Sequence, residues 1–395
     1  MKTFNLKTPI GLKDYILKDM EKKNKIESAL KDLFLSNGYN LIETPTLEYI
    51  DVFTENVQDP TLYKLTNKEG EILALKNDIT KSIARVVRTI TKDFIFPQRF
   101  CYVSNIFRYK KAYLGMQHEF TQAGIELIGA NDVYADYEVV SLAVKSLNAI
   151  LDNFNLYISS SDFFNNYLDD LNINKNVKLE ILQAIKNKNI SNVKKIIDNN
   201  TNSKSSDNKN YYEVLSLVIE AIGKKDLLNK IKNNVKSEKT LASLTRLEKL
   251  YELLETNGLE KNVSFDFSIL SYGNYYTGIT LHGYTKGVGY PILDGGRYDN
   301  LIGDIDKKIS ACGFAININD LISKTKLTYE KDIKLLYSND KEKALSMLDN
   351  NSFISLEKCI DDAFAYGIAN NIKEIVDIDN NKLFELINGK YVIKA

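Results

Sequence analysis

An α+β fold is predicted by three observations. Residues 100–109 and 120–128 alternate their side chains from face to face on either side of a loop rich in Lys, Gly and His, the pattern of a β-hairpin. From about 155 to 262 glycine almost vanishes, Lys, Asn, Leu and Ile dominate, and the apolar spacing becomes helical. Glycine-rich strand segments then return at 263–316. Strands grouped on both sides of a helical block predict an α+β arrangement carrying a helical insertion.

The elements follow in chain order. Residues 19–37 place Ile26, Leu30, Leu33 and Phe34 along one side of a helix, and Gly38 stands where a helix C-cap belongs. YNLIETPTLEYIDVF reads as a strand, a break at Pro45 and a further apolar stretch. EILALKNDITKSIARVVRTI reads as a short strand followed by a helix opened by Asp78 or Thr80. In the hairpin, Tyr102, Ser104, Ile106 and Arg108 share one face of the first strand. Phe120, Gln122, Gly124, Glu126 and Ile128 share one face of the second. Gly124 is expected to leave a gap where a ligand approaches the backbone, with Arg108 as an anion reader beside two acceptors. A periodic helix begins at Asp132, whose charge suits a helix N-terminus. Within the insertion, DNNTNSKSSDNKN (198–210) is a low-complexity polar stretch expected to form a mobile loop. The strand signals IKLLYS, SFISLEK and YVIKA then define a small α/β appendage over 330–395, leaving a core of 1–325.

Composition excludes several classes. Lys+Arg and Asp+Glu both number 52, so no chain-wide basic field for nucleic acid exists. No apolar run reaches the roughly 18 residues of a membrane-spanning helix, and the N-terminus lacks a signal-peptide pattern, so a cytoplasmic protein is expected. Cys101, Cys312 and Cys359 are widely spaced and read as free thiols. With His118 and His282 the only histidines, no metal site is expected. Neither histidine has a nucleophile and orienting acid nearby in sequence, and both are expected at the surface.

The candidate binding residues each carry two readings. Asp78 and Thr80 either cap the helix that follows or line a ligand mouth, where Asp78 would receive an ammonium group. Tyr275 and Tyr276, bracketed by Gly273 and Gly278, are expected on opposite faces of a strand, one in the core and one against a cavity, where a phenol walls a flat ring. Arg297, after Gly295 and Gly296, is either a structural ion-pair partner or a ligand reader, and the segment lacks the spacing of a phosphate-binding P-loop.

Taken in order, these segments resemble the class II aminoacyl-tRNA synthetase core and specifically its histidyl branch. GYNLIETPTLE is similar to the first signature motif, which carries that family's dimer interface. RFCYVSNIFRY with EFTQAGIELIG resembles the second, and CGFAININDL the third. LALKNDIT, SYGNYYTGITL and LDGGRYDNLIG resemble the segments around the histidine site. The resemblance covers residues 1 to about 325, with the helical insertion where such enzymes have one. It implies a class II synthetase-like fold, an antiparallel sheet flanked by helices, with Asp78, Thr80, Arg108, Gln122, Glu126, Tyr275 and Tyr276 around L-histidine.

The departures are informative. Asp320 stands where the third-motif arginine holds ATP, and Ser271 where a second arginine serves the histidine carboxylate. An acid in place of a cation repels a triphosphate. The second-motif loop also lacks the residues that read the tRNA acceptor end. Only 73 residues follow Ile322, short for that family's anticodon-binding domain. The pattern resembles a non-aminoacylating branch of the family, the regulatory subunits of ATP phosphoribosyltransferase. That resemblance implies a non-catalytic chain without cofactor, metal or tRNA. Its implied partners are the short-form catalytic subunit in a hetero-octamer, a second copy of itself as a dimer, and histidine as feedback signal. The alternatives are a divergent histidyl-tRNA synthetase or amino-acid-activating relative, and a scaffold whose pocket binds nothing.

Overall fold

A computed structural model describes residues 7–54, 56, 58–90, 95–109, 117–171, 173–200, 207–269, 275–304, 307–328 and 331–394. The chain divides into two compact units, Met1–Lys13 with Ile26–Thr325, and Asp14–Lys25 with Lys326–Ala395.

The larger unit is built on a nine-stranded sheet. Its strands run in the order Asn40–Leu41, Gln98–Phe107, Glu119–Ile128, Ala311–Asn317, Leu293–Arg297, Ile279–Tyr284, Asn155–Ser160, Val263–Asp266 and Ile222–Gly223. The centre is antiparallel. Two pairs nearer the margins, Asn40–Leu41 on Gln98–Phe107 and Asn155–Ser160 on Val263–Asp266, are parallel, which modifies the purely antiparallel expectation. The architecture is α+β.

Helix Val133–Ile150 packs on the strands Glu119–Ile128 and Ala311–Asn317, burying Val139, Val140, Ala143, Leu147 and Ile150. Asp132 caps it, its side chain accepting from the Ala135 N–H at 2.8 Å. Helix Leu17–Ser36 buries Ile26, Leu30 and Phe34 and ends at Gly38, whose φ of 85° closes the last turn. There the Tyr39 N–H donates to the Phe34 carbonyl at 3.2 Å. A second sheet joins Leu47–Tyr49, Ile72–Leu75 and Lys64–Thr66.

The helical insertion begins later than 155, because Asn155–Ser160 is a strand of the main sheet. Helices then run from Ser161–Asp170 to Glu238–Thr256. The polar stretch 198–210 is helical at both of its ends. Residues up to Asn200 finish one helix and Asp207 opens another, while 201–206 lie outside the described residues.

The smaller unit carries a five-stranded sheet in the order Ser352–Ile354, Lys331–Tyr337, Ile372–Asp377, Lys382–Ile387 and Lys390–Ile393. Helix Ile360–Ala369 packs on it. Two of these strands, IKEIVD and KLFELI, went unread in the sequence. No helix among the described residues is long and apolar enough to cross a membrane.

A buried ion cluster ties the larger unit together. The Asp136 side chain is fully buried and accepts from Arg297 Nε at 2.9 Å and Nη2 at 2.6 Å, and from Arg246 Nε at 2.5 Å. The second reading of Arg297 therefore falls away: it is a structural partner, with Asp299 at 3.3 Å and the Ala130 carbonyl at 3.0 Å. Replacing Asp136 by Ala leaves a buried guanidinium without its counter-charge, which costs about 3–5 kcal/mol. A drop of that size in chemical-denaturation stability is expected for Asp136→Ala, and an unchanged midpoint would refute the assignment.

Candidate functional site

The residues singled out in the sequence meet at one cavity of about 200 Å³. Its wall contains Asp78, Thr80, Arg108, Gln122, Glu126, Tyr275 and Tyr276, joined by Tyr102, Asp294 and Tyr298. Strand register explains the convergence. Gln122, Gly124 and Glu126 project from one face of Glu119–Ile128, opposite Ser104, Tyr102 and Phe100 on one side and Asn317, Ala315 and Gly313 on the other.

Glu126 lies at the bottom, 2% exposed. Thr80 Oγ1 donates to its Oε1 at 2.6 Å, and the Tyr298 hydroxyl donates to Oε2. Burial pushes its pKa up from the ordinary 4.5 to about 8; the bonds from Thr80 and Tyr298 oppose that rise, and nearby Asp78 adds to it. At neutral pH this carboxyl is mostly protonated, able to donate one hydrogen bond and accept others. Burial likewise raises the phenols of Tyr102, Tyr275 and Tyr298, keeping them neutral donors.

The other polar groups are held in place. Gln122 Nε2 donates to Asn317 Oδ1 at 3.0 Å, which fixes the amide. Arg108 follows its strand, donates from Nε to the Asn77 carbonyl at 2.8 Å and lies over the Phe120 ring at 5.7 Å. Asp78 accepts the Lys81 N–H at 3.3 Å in the first turn of helix Ile79–Ile90. It thus caps the helix and lines the cavity at once, so its two readings are compatible.

Several expectations need correction. Tyr275 and Tyr276 do not split between core and cavity, because the strand begins only at Ile279. Both line the cavity, packed edge to face at 4.9 Å. The gap foreseen over Gly124 is filled by Tyr102: a Cβ on Gly124 would meet the Tyr102 hydroxyl at 2.5 Å. A Cβ on Gly313 would strike the Glu126 carboxylate, and one on Gly296 the Tyr276 ring. Each of these glycines seats one wall side chain. His118 is not a surface residue but 3% exposed, its ring Nδ1 2.6 Å from the Tyr63 hydroxyl and its backbone N–H donating to the Gly11 carbonyl at 2.7 Å. His282 is mostly buried as well, its side chain 14% exposed.

A second cavity of about 140 Å³ adjoins, where Tyr290 Oη donates to Asp320 at 2.8 Å. Ser271 lies outside the described residues, as does the loop 110–116 with its lysines. Among the described residues no cluster of His, Cys, Asp and Glu is arranged to hold a metal ion. Tyr102, Asp294 and Tyr298 were missed in the sequence. The pairing of bulky Tyr102 with Gly124 and the acid directly before Gly295 were the available signals.

The sheet, the glycine-seated wall and the order of the segments define a histidyl-tRNA synthetase-like protein of class II type. Residues 11–321 match the family profile described as Histidyl-tRNA synthetase. Within that class the chain belongs to the family of ATP phosphoribosyltransferase regulatory subunits. A protein so described from Clostridium kluyveri is 35% identical over 80% of this chain and 81% of its own length. One from Clostridium novyi is 34% identical over 96% and 93%. The solved structure of an ATP phosphoribosyltransferase regulatory subunit/histidyl-tRNA synthetase from Bacillus halodurans is 28% identical, superposes with a TM-score of 0.78, and shares 95% of this chain and 98% of its own.

Glu126 makes a testable statement about pH. Its folded pKa lies above the unfolded one, so its contribution to stability is full below about 4.5 and is lost as pH rises towards 8. Across that window this group alone lowers stability by up to about 1.4 kcal/mol per pH unit. Urea unfolding of Glu126→Gln between these limits is expected to show a flatter pH dependence than the wild type; identical slopes would refute the buried-acid assignment.

Proposed function

We propose that this chain is a non-catalytic histidine sensor that activates the short-form catalytic subunit of ATP phosphoribosyltransferase, the first step of histidine biosynthesis. It would act in the cytoplasm, dimerise, and assemble with that subunit into a hetero-octamer, conveying inhibition by histidine. The observation that carries the reading is the tyrosine-walled cavity with an acid, an amide and a hydroxyl inside it and an arginine at its edge. Such a set fits one flat-ringed, zwitterionic amino acid. In this reading Glu126, Gln122 and Asp78 meet the imidazole and α-ammonium, Thr80 supports them, Tyr275 and Tyr276 flank the ring, and Arg108 takes the carboxylate. The synthetase alternative is disfavoured by Asp320, which places negative charge where ATP phosphate would need a cation. Family membership supports the partnership.

Feedback requires histidine to bind two states of the assembly with different affinity, a coupling typically of about 1–3 kcal/mol. The test is phosphoribosyl-ATP formation by the short catalytic subunit with and without this chain, histidine being titrated in. Activity dependent on both chains and falling with histidine is expected, and Gln122→Ala should shift inhibition to higher histidine. Histidine-dependent ATP–pyrophosphate exchange by this chain alone would instead establish the synthetase.

A further inference from the structure

Gly11 and His118 are remote in sequence and meet in the fold. Gly11 has a φ of 82°, and a Cβ there would strike the His118 ring, so the imidazole lies where any side chain would stand. The Gly11 carbonyl accepts the His118 backbone N–H at 2.7 Å. A turn shapes the segment, the Leu12 N–H donating to the Pro9 carbonyl at 3.1 Å. Ile10 is 79% exposed, so the apolar side chain beside the contact adds little to its hold.

His118 is clamped from other sides as well. The Tyr63 hydroxyl stands 2.6 Å from its Nδ1, and the Tyr109 ring lies 4.9 Å from its own. Its carbonyl accepts the Arg108 N–H at 2.8 Å. Arg108 and His118 thereby continue the hairpin beyond the pair Phe107 and Glu119, and Gly11 holds the outer side of that continuation. Arg108 carries the contact onward: its Nε donates to the Asn77 carbonyl at 2.8 Å, and its side chain lines both cavities. Gln117, beside His118, accepts from Asn319 Nδ2 at 2.5 Å in the adjoining cavity.

We propose that Gly11 and His118 form a clasp through which the N-terminal segment regulates the amino-acid site, the closed clasp fixing the strand end that bears Arg108. This rests on the sensor reading given above, in which Arg108 takes the ligand's carboxylate. Gly11 and His118 are positioning residues: neither lines the two cavities, and both act through Arg108. Coupling is reciprocal, so a carboxylate held by Arg108 tightens the clasp by as much as the clasp tightens its binding.

The experiment is calorimetric binding to the full chain with histidine and with histidinol, which lacks the carboxylate. Gly11→Ala opens the clasp. Gly70→Ala is the control, because Gly70 has a φ of 86° with open space around its Cβ position and so brings the backbone strain without the contact. Gly11→Ala is expected to weaken histidine by about 2- to 30-fold, with histidinol unchanged and Gly70→Ala like the wild type. An equal loss for both ligands makes the contact merely structural, and no loss for either separates it from the site; each overturns the clasp and leaves histidine sensing intact. Hydrogen exchange on the wild type gives a reading that needs no variant to fold. Histidine is expected to slow exchange of the His118 amide, which donates to Gly11, and an unchanged rate overturns the clasp. A wild-type chain that binds no histidine overturns the sensor reading and the clasp together.

Discussion

One buried carboxylate organises the larger unit. Asp136 stands on the helix that covers the sheet, and it joins Arg297 at the end of a central strand to Arg246 on the last helix of the insertion. Charges this deeply buried survive only when paired and hydrogen-bonded. The two guanidiniums meet that demand and also hold the backbone carbonyls of Ala130, Asn131 and Asp132. Helix, strand and insertion are thereby locked in one relation. The next residue, Tyr298, hands its hydroxyl to Glu126. The same strand end thus secures the scaffold with one side chain and shapes the pocket with its neighbour.

Burial sets the chemistry of that pocket. Glu126 is buried among tyrosines, and that burial keeps its proton on into the neutral range. A protonated carboxyl, phenols and a fixed amide make a site of neutral donors and acceptors, with formal charge confined to Asp78, Arg108 and Asp294. Transferring a phosphoryl or adenylyl group needs preorganised positive charge, and in the adjoining cavity Arg108 faces two acids, Asp294 and the Tyr290-bonded Asp320.

Much of this was legible wherever a local pattern sufficed. The alternation of residues 119–128 has a period of two and one buried face, so Gln122 and Glu126 could be assigned to one side of a strand. The caps at Asp132 and Gly38 follow from residue type and position. Tyr275 and Tyr276 were misjudged because a strand was extended backwards over a segment that is not one. Asp294 and Tyr298 reach the site through pairing between strands remote in sequence, a register that single-strand periodicity does not carry, whereas Tyr102 already stood on the Arg108 face of the hairpin, opposite Gly124. His118 looked like a loop residue because burial by Tyr63 and Gly11 is likewise non-local. Asp136 did leave a trace: a charge on the apolar stripe of Val140, Ala143 and Leu147.

The glycine floor has a consequence for how such a site changes over generations. Gly124, Gly296 and Gly313 come from adjacent strands, and each yields its side-chain space to Tyr102, Tyr276 or Glu126. Glycine is the lower bound of side-chain volume, so every point substitution there adds atoms. Drift at the floor runs one way, towards occlusion. Because a Cβ at any of the three would also meet a backbone carbonyl of a neighbouring strand, change in pocket size is left to the tyrosine walls.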